Sequence, residues 1–189
     1  MLEIRFHGRG GQGTVVASIL MAKAFFKAGY YVQSFPFFGV ERRGAPLEAY
    51  LRLDRKKIFI RTNVYTPDHI IVLDHTLLSS IEVTSGLKPG GVVLINTDQN
   101  PDEFNDFSAY RLALVNAAKI ALKNNLGTRT YPIVNTALMG ALAKVLEMPP
   151  VDAIAQAIME NVPAKPTENL DAAKEAFASV IMRADNDSK

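Results

Sequence analysis

Cysteine is absent from the 189 residues, and so is tryptophan. Without a thiol the chain can form no disulfide, give no thiolate to an iron–sulfur cluster and make no thiol nucleophile. Redox chemistry, if any, then belongs to a bound cofactor or a partner. Histidine is scarce as well: His7, His69 and His75 lack the spacing of a zinc-ligand pair, and no metal is expected. No apolar run approaches the roughly 18–20 residues that cross a bilayer. The amino terminus enters a strand pattern at once, which leaves no room for a signal peptide. These absences predict a cytoplasmic chain with no membrane partner.

What is present is an ordinary globular balance, with 48% hydrophobic and 21% charged residues. The length suits one well-buried domain, residues 1–183, followed by a fraying tail, 184–189. Charge is unevenly spread. Residues 1–61 hold 11 Lys and Arg against 4 Asp and Glu, whereas the remainder holds 10 against 15. An anion-binding half would show that asymmetry, and so would a solvated basic edge strand. The cations are not interleaved with aromatics in any nucleic-acid module, so no nucleic-acid partner is expected.

Leu2–His7 reads as a strand, Gly8–Gly13 as a tight loop and Thr14–Ala28 as a helix stopped by Gly29. In that helix Val15, Ile19, Ala22 and Phe26 recur at helical spacing and predict the buried face. Tyr30–Phe35 follows as a strand, and "PFFGVERRGAP" as a loop punctuated by Pro36, Gly39, Gly44 and Pro46. "LEAYLRL" and "IFIR" flank Asp54-Arg55-Lys56-Lys57, the pattern of an antiparallel hairpin with a charged tip. Strands are expected at "TPDHIIVLD", Val92–Asn96 and Arg111–Val115, with a helix over Thr76–Leu87.

Four further helical patterns make a helical C-terminal part. Asn116 and Asn135 are placed to cap the first two, Val151–Glu160 is the third, and the last runs from about Glu168 to Arg183. In the last, Leu170, Ala173, Phe177 and Val180 fall on one side. Strands alternating with helices at this spacing predict an α/β three-layer fold with a largely parallel central sheet and an antiparallel hairpin. Ligands of such sheets bind beyond the carboxyl ends of the strands.

Gly8, Gly10 and Gly13 spell G-x-G-x-x-G between the first strand and helix. Glycines let the backbone approach a phosphate, and the N–H groups and dipole at the helix start favour an anion. Arg9 would add a cation; a plain tight turn is the alternative. A dinucleotide enzyme also needs an acid near the end of its second strand. Here "YYVQSF" offers Gln33 and Ser34, and the next acid is Glu41, between Val40 and Arg42. That weighs against NAD(P) or FAD. Asp74 and His75 end a strand, where a capping Asp is the simpler reading than an acid–base pair. His7 is read as a strand-end histidine, and the aromatics Phe35, Phe37 and Phe38 as core or subunit contacts.

"GRGGQG" followed by "FGVERRGAP", with "PDHIIVLD", "LKPGGVVLINT" and "NTALMGALAKVL" after them, resembles the gamma subunit of pyruvate and related 2-oxoacid:ferredoxin oxidoreductases. The resemblance runs from Leu2 to about Val145 and leans to the pyruvate type over the 2-oxoisovalerate and 2-oxoglutarate types. It implies a Rossmann-like, non-catalytic subunit of an enzyme that converts a 2-oxoacid and coenzyme A to acyl-CoA and CO2 and reduces ferredoxin. Catalytic and ferredoxin-like partner subunits would carry thiamine diphosphate, Mg2+ and the iron–sulfur clusters. Arg9, Gly10, Gly11, Gln12, Gly13, Arg42 and Arg43 become candidate coenzyme A contacts, and Phe38, Gly39, Glu41 and Gly44 candidate interface or loop-bracing residues. A free-standing dinucleotide oxidoreductase and a nucleotide-binding regulator are the rival classes.

Overall fold

The computed structural model describes residues 1–37 and 44–183. Phe38, Gly39, Glu41, Arg42 and Arg43 therefore lie outside the described residues, as does the tail expected to fray.

A seven-stranded sheet carries the molecule, in the order β2-β3-β1-β4-β5-β6-β7. The strands are β1 (Leu2–Arg9), β2 (Tyr31–Phe37), β3 (Pro46–Asp54), β4 (His69–Val72), β5 (Val92–Asn96), β6 (Arg111–Val115) and β7 (Ile181–Met182). The helices are α1 (Thr14–Lys27), α2 (Ala117–Lys123), α3 (Asn135–Leu146), α4 (Val151–Asn161) and α5 (Pro166–Ser179). β1, β4, β5 and β6 run parallel. Their middle members have no polar face: Ile70, Ile71, Val93 and Leu94 are all fully buried, as expected of strands covered on both sides. Ile71 and Leu94 face the helices, while Ile70 and Val93 face a second core with Val83, Phe104 and Phe107.

That second covering layer is where the sequence reading fails first. Thr76–Leu87 is not an α-helix; a 3-10 segment spans His75–Ser79, and turns follow. The hydroxyls of Ser79 and Ser80 donate to the carbonyls of Thr76 and Leu77. Such local bonding competes with helical pairing.

The antiparallel hairpin also lies elsewhere. β3 already pairs with β1 on one edge and with β2 on the other, so no edge remains for Ile58–Arg61, which form no strand. β2 and β3 are the hairpin. In α1 the buried set is Ala17, Leu20, Met21, Ala24 and Phe25 with Ala22, while Ile19 and Phe26 are exposed. Ten of the fourteen residues of this helix are apolar, so periodicity alone could not choose its face.

The asparagine reading divides. Asn116 caps α2, its Oδ1 accepting from Lys119 N at 2.9 Å. Asn135 is instead the first residue of α3, behind Val134. The predicted stripe of α5 holds, with Ala173 buried and Leu170, Phe177 and Val180 packed on the helical core. The helix stops at Ser179, however, and Ile181–Met182 turn back to pair with β6. Arg183 then donates to the carbonyls of Phe104 and Phe107 and fastens that strand to the second layer.

Candidate anion cradle at the glycine-rich loop

β1 ends at Arg9 and α1 starts at Thr14, so Gly10–Gly13 must reverse the chain within four residues. Gly11 (φ 92°) and Gly13 (φ 79°) do this in the left-handed region. Gln12 N donates to Arg9 O at 3.0 Å, and Arg9 N donates to Gln12 Oε1 at 2.8 Å. The motif after the second strand lies directly alongside: Gly10 N donates to Ala45 O at 2.9 Å and Gly44 N to Gly10 O at 3.1 Å. The described end of the second motif, Gly44-Ala45, is thus bonded to the glycine-rich loop and braces it.

Gly13, the N-cap of α1, has no side chain to answer the first-turn N–H groups, and that turn carries no acid. The positive end of the helix therefore stays uncompensated. It opens on a cavity of about 650 Å³ beyond the carboxyl ends of β1, β4, β5 and β6. Asn135 forms the opposite wall. Its Oδ1 accepts from Thr136 N at 2.8 Å, while its Nδ2, close to Gly13, has no hydrogen-bond partner among the described residues. The residue is only 9% exposed and lines the cavity, so its amide N–H borders the space in front of the loop. Asn96 is fixed on both sides, donating to Leu73 O at 2.8 Å and accepting from Ala118 N at 3.3 Å. Asp98 contributes a carboxylate to the rim.

Asp74 holds the loop from below. Its Oδ2 accepts from Arg9 Nε at 3.1 Å and Gln12 Nε2 at 2.7 Å. Its Oδ1 accepts from Thr76 N at 3.0 Å and Thr76 Oγ1 at 2.6 Å. Arg9 also donates to Gly44 O at 3.2 Å and Thr76 Oγ1 at 2.9 Å. Burial pushes the Asp74 carboxyl upward, but the bonds from Thr76 and Gln12 and the charge of Arg9 outweigh it and hold the group below the usual carboxylate range. The capping role expected of Asp74 is met. Its grip on Arg9 and Gln12 was not foreseen, nor were the cavity positions of Asn96, Asp98 and Asn135.

The strand that follows α1, where a dinucleotide fold carries its acid, pairs with β3 and lies away from β1, so its end is not beside the loop. Asp74, after β4, has both its oxygens taken by Arg9, Gln12 and Thr76.

His7, beneath the loop, is 1% exposed and accepts from Arg5 at Nε2, 3.1 Å away. Its Nδ1 lies 3.6 Å from Glu48 Oε1. Burial first, and the Arg5 charge second, lower its pKa to about 3. The unfolded chain therefore takes up more protons than the folded one between that value and the ordinary histidine range. Acidification through this window should destabilise the protein, and His7→Gln should flatten the loss in urea midpoints measured from pH 7 to pH 4. An unchanged slope would mean that His7 is not held neutral.

The family profile described as pyruvate ferredoxin/flavodoxin oxidoreductase matches residues 3–179. The chain belongs to this family. It is 48% identical over 186 residues to the pyruvate/ketoisovalerate oxidoreductases common subunit gamma of Thermococcus kodakarensis, covering 96% of this chain and 98% of that one. It is 45% identical over 184 residues to the pyruvate synthase subunit PorC of Methanocaldococcus jannaschii, covering 97% and 99%. The crystal structure of pyruvate oxidoreductase subunit PORC from Thermotoga maritima superposes with a TM-score of 0.81 at 33% identity, over 96% of this chain and 97% of that one. The family expected from "GRGGQG" and "ERRGAP" is the one found.

Proposed function

We propose that this chain is the gamma subunit of a cytoplasmic pyruvate:ferredoxin oxidoreductase. Pyruvate and coenzyme A become acetyl-CoA and CO2 there, while the two electrons released reduce ferredoxin. The observation that carries the reading is the end-to-end match, at 48% identity, to a relative named as such a subunit. The chain's own residues do not fit the enzyme's cofactors. It has no thiolate for a cluster, and the described residues gather no group of three or more His, Cys, Asp or Glu around a possible metal. Clusters, thiamine diphosphate and Mg2+ then sit on partner subunits, and this chain alone has no activity.

Its contribution is to hold coenzyme A. The open N-terminus of α1, the left-handed glycines and the unpartnered Asn135 amide all present N–H donors to one cavity, which suits a phosphate. Arg42 and Arg43, which precede Gly44 in the sequence and lie outside the described residues, are the proposed cations for the same ligand. The Thermococcus relative's name joins two 2-oxoacids to one gamma subunit. That favours a second substrate, 2-oxoisovalerate, with the choice of acid made by the partners.

Anaerobic affinity capture of the chain from its own cells tests the subunit reading. The expected eluate contains cluster-bearing subunits and reduces a low-potential acceptor with pyruvate, dependent on coenzyme A. A chain that emerges alone with bound NAD(P) or FAD would overturn it. For the cradle, Gly11→Val in the assembled enzyme places a β-branched residue at positive φ, a strain of roughly 1–2 kcal/mol. The KM for coenzyme A should rise about tenfold or more. An unchanged KM would remove the loop from the coenzyme A site.

A further inference from the structure

We infer that Asp74 is the positioning residue of the glycine-rich loop, and that Arg9 serves as its brace and not as an anion ligand. The inference rests on the coenzyme A reading of the cradle. The geometry is specific. The Asp74 carboxylate gathers donors from three segments at one point: the end of β1 through Arg9, the loop through Gln12, and the turn after β4 through Thr76. Gln12 is the link between them, because its amide oxygen takes Arg9 N while its amide nitrogen reaches Asp74. A loop whose polar side chains are tied to one carboxylate is held in one shape before any ligand arrives, with Gly10 N and Gln12 N bonded internally and Gly11 and Gly13 at the cavity wall.

Arg9 is a poor candidate for the ligand's cation on the same evidence. Its guanidinium donates to Asp74, Gly44 O and Thr76 Oγ1, and it is only 27% exposed. To reach a phosphate it would have to leave all three, and Asp74 would lose its charged partner in a half-buried place. The two roles predict opposite signs. If Asp74 positions the loop, removing its charge weakens coenzyme A binding. If Asp74 merely competes for Arg9, removing its charge frees a cation and strengthens binding.

The test is a double-mutant cycle in the assembled oxidoreductase, with kcat and the KM for coenzyme A measured for Asp74→Asn, Arg9→Ala and the pair. Asp74→Asn should raise KM roughly tenfold, the scale of a lost charged hydrogen bond, with kcat at saturating coenzyme A little changed. The double variant should be no worse than the larger single, because both act through one clamp. A KM that falls or stays level in Asp74→Asn overturns the inference, as does full additivity of the two losses. Should Asp74→Asn fail to assemble, Thr76→Val removes one donor to the other oxygen of the same carboxylate and should still raise KM. The Gly11→Val enzyme separates the two claims: if it raises KM while Asp74→Asn and Thr76→Val do not, only the role of Asp74 falls. If none of the variants moves KM, the cradle itself is wrong.

Discussion

Glu3→Ala is expected to destabilise the chain by about 3–5 kcal/mol, the penalty of stranding a buried charge. Arg52 is the charge. Its side chain is 1% exposed and its Nε lies 2.6 Å from Glu3 Oε1. The guanidinium also donates to Asn63 O at 3.1 Å and lies over the Phe35 ring at 5.3 Å. Nη1 has no partner, so no second acceptor stands ready to replace the carboxylate. For a domain of this length the loss corresponds to a melting temperature lower by roughly 10 °C. Glu3→Leu with Arg52→Met removes both charges and keeps the volume, and should cost far less than Glu3→Ala. A melt of Glu3→Ala within a degree or two of the parent would show that water reaches Arg52 and that the pair is not buried in the energetic sense.

The same pair shows why part of this fold was legible and part was not. β4, β5 and β6 were readable because each is a short run of residues buried on both faces, and only a strand covered on both sides needs such a run. The glycine loop was readable because a strand-to-helix reversal within four residues has few chemical solutions. What one dimension hides is adjacency. β3 inserts between β1 and β2, so the strand that follows α1 in sequence is not beside β1 in space. The end of the strand searched for an acid, near Gln33 and Ser34, is therefore not beside the loop, and Asp74, sixty-odd residues from the loop, was weighed as a cap or an acid–base group but not as the loop's partner. Local competition hid the rest. The serine hydroxyls of 79 and 80 turned a helix into 3-10 geometry, and the free edge of β6 drew Ile181 and Met182 out of the last helix. In α1 the pattern was too apolar to show a face, leaving Phe26 69% exposed. A subunit of an oxidoreductase complex meets other subunits and has reason to keep such surface.

The second large effect is expected where α3 meets α5. A Cβ on Gly140 would stand 1.8 Å from Ala173 O and 2.6 Å from its carbonyl carbon, so the two helices touch backbone to backbone. Ala137, Ala141, Ala172 and Ala176, all fully buried, line the same seam and permit the approach. Below it, Thr136 Oγ1 donates to Asn169 Oδ1 at 2.9 Å in the closed interior. Gly140→Ala must part the helices or bend one, an overpacking cost of about 3 kcal/mol or more. The function should suffer with the fold, because α3 begins with Asn135, the residue whose amide N–H borders the cradle. A shift that carries α3 off α5 carries that donor away from Gly13, and the KM for coenzyme A should rise in whatever enzyme still assembles. Ala173→Gly offers a sharp control. It removes a methyl group but not the carbonyl that the new Cβ meets, so it should leave the Gly140→Ala defect unrepaired in urea unfolding. Repair by that second substitution would mean that the seam is held by side chains and can slide, and that the position of Asn135 is not fixed by it.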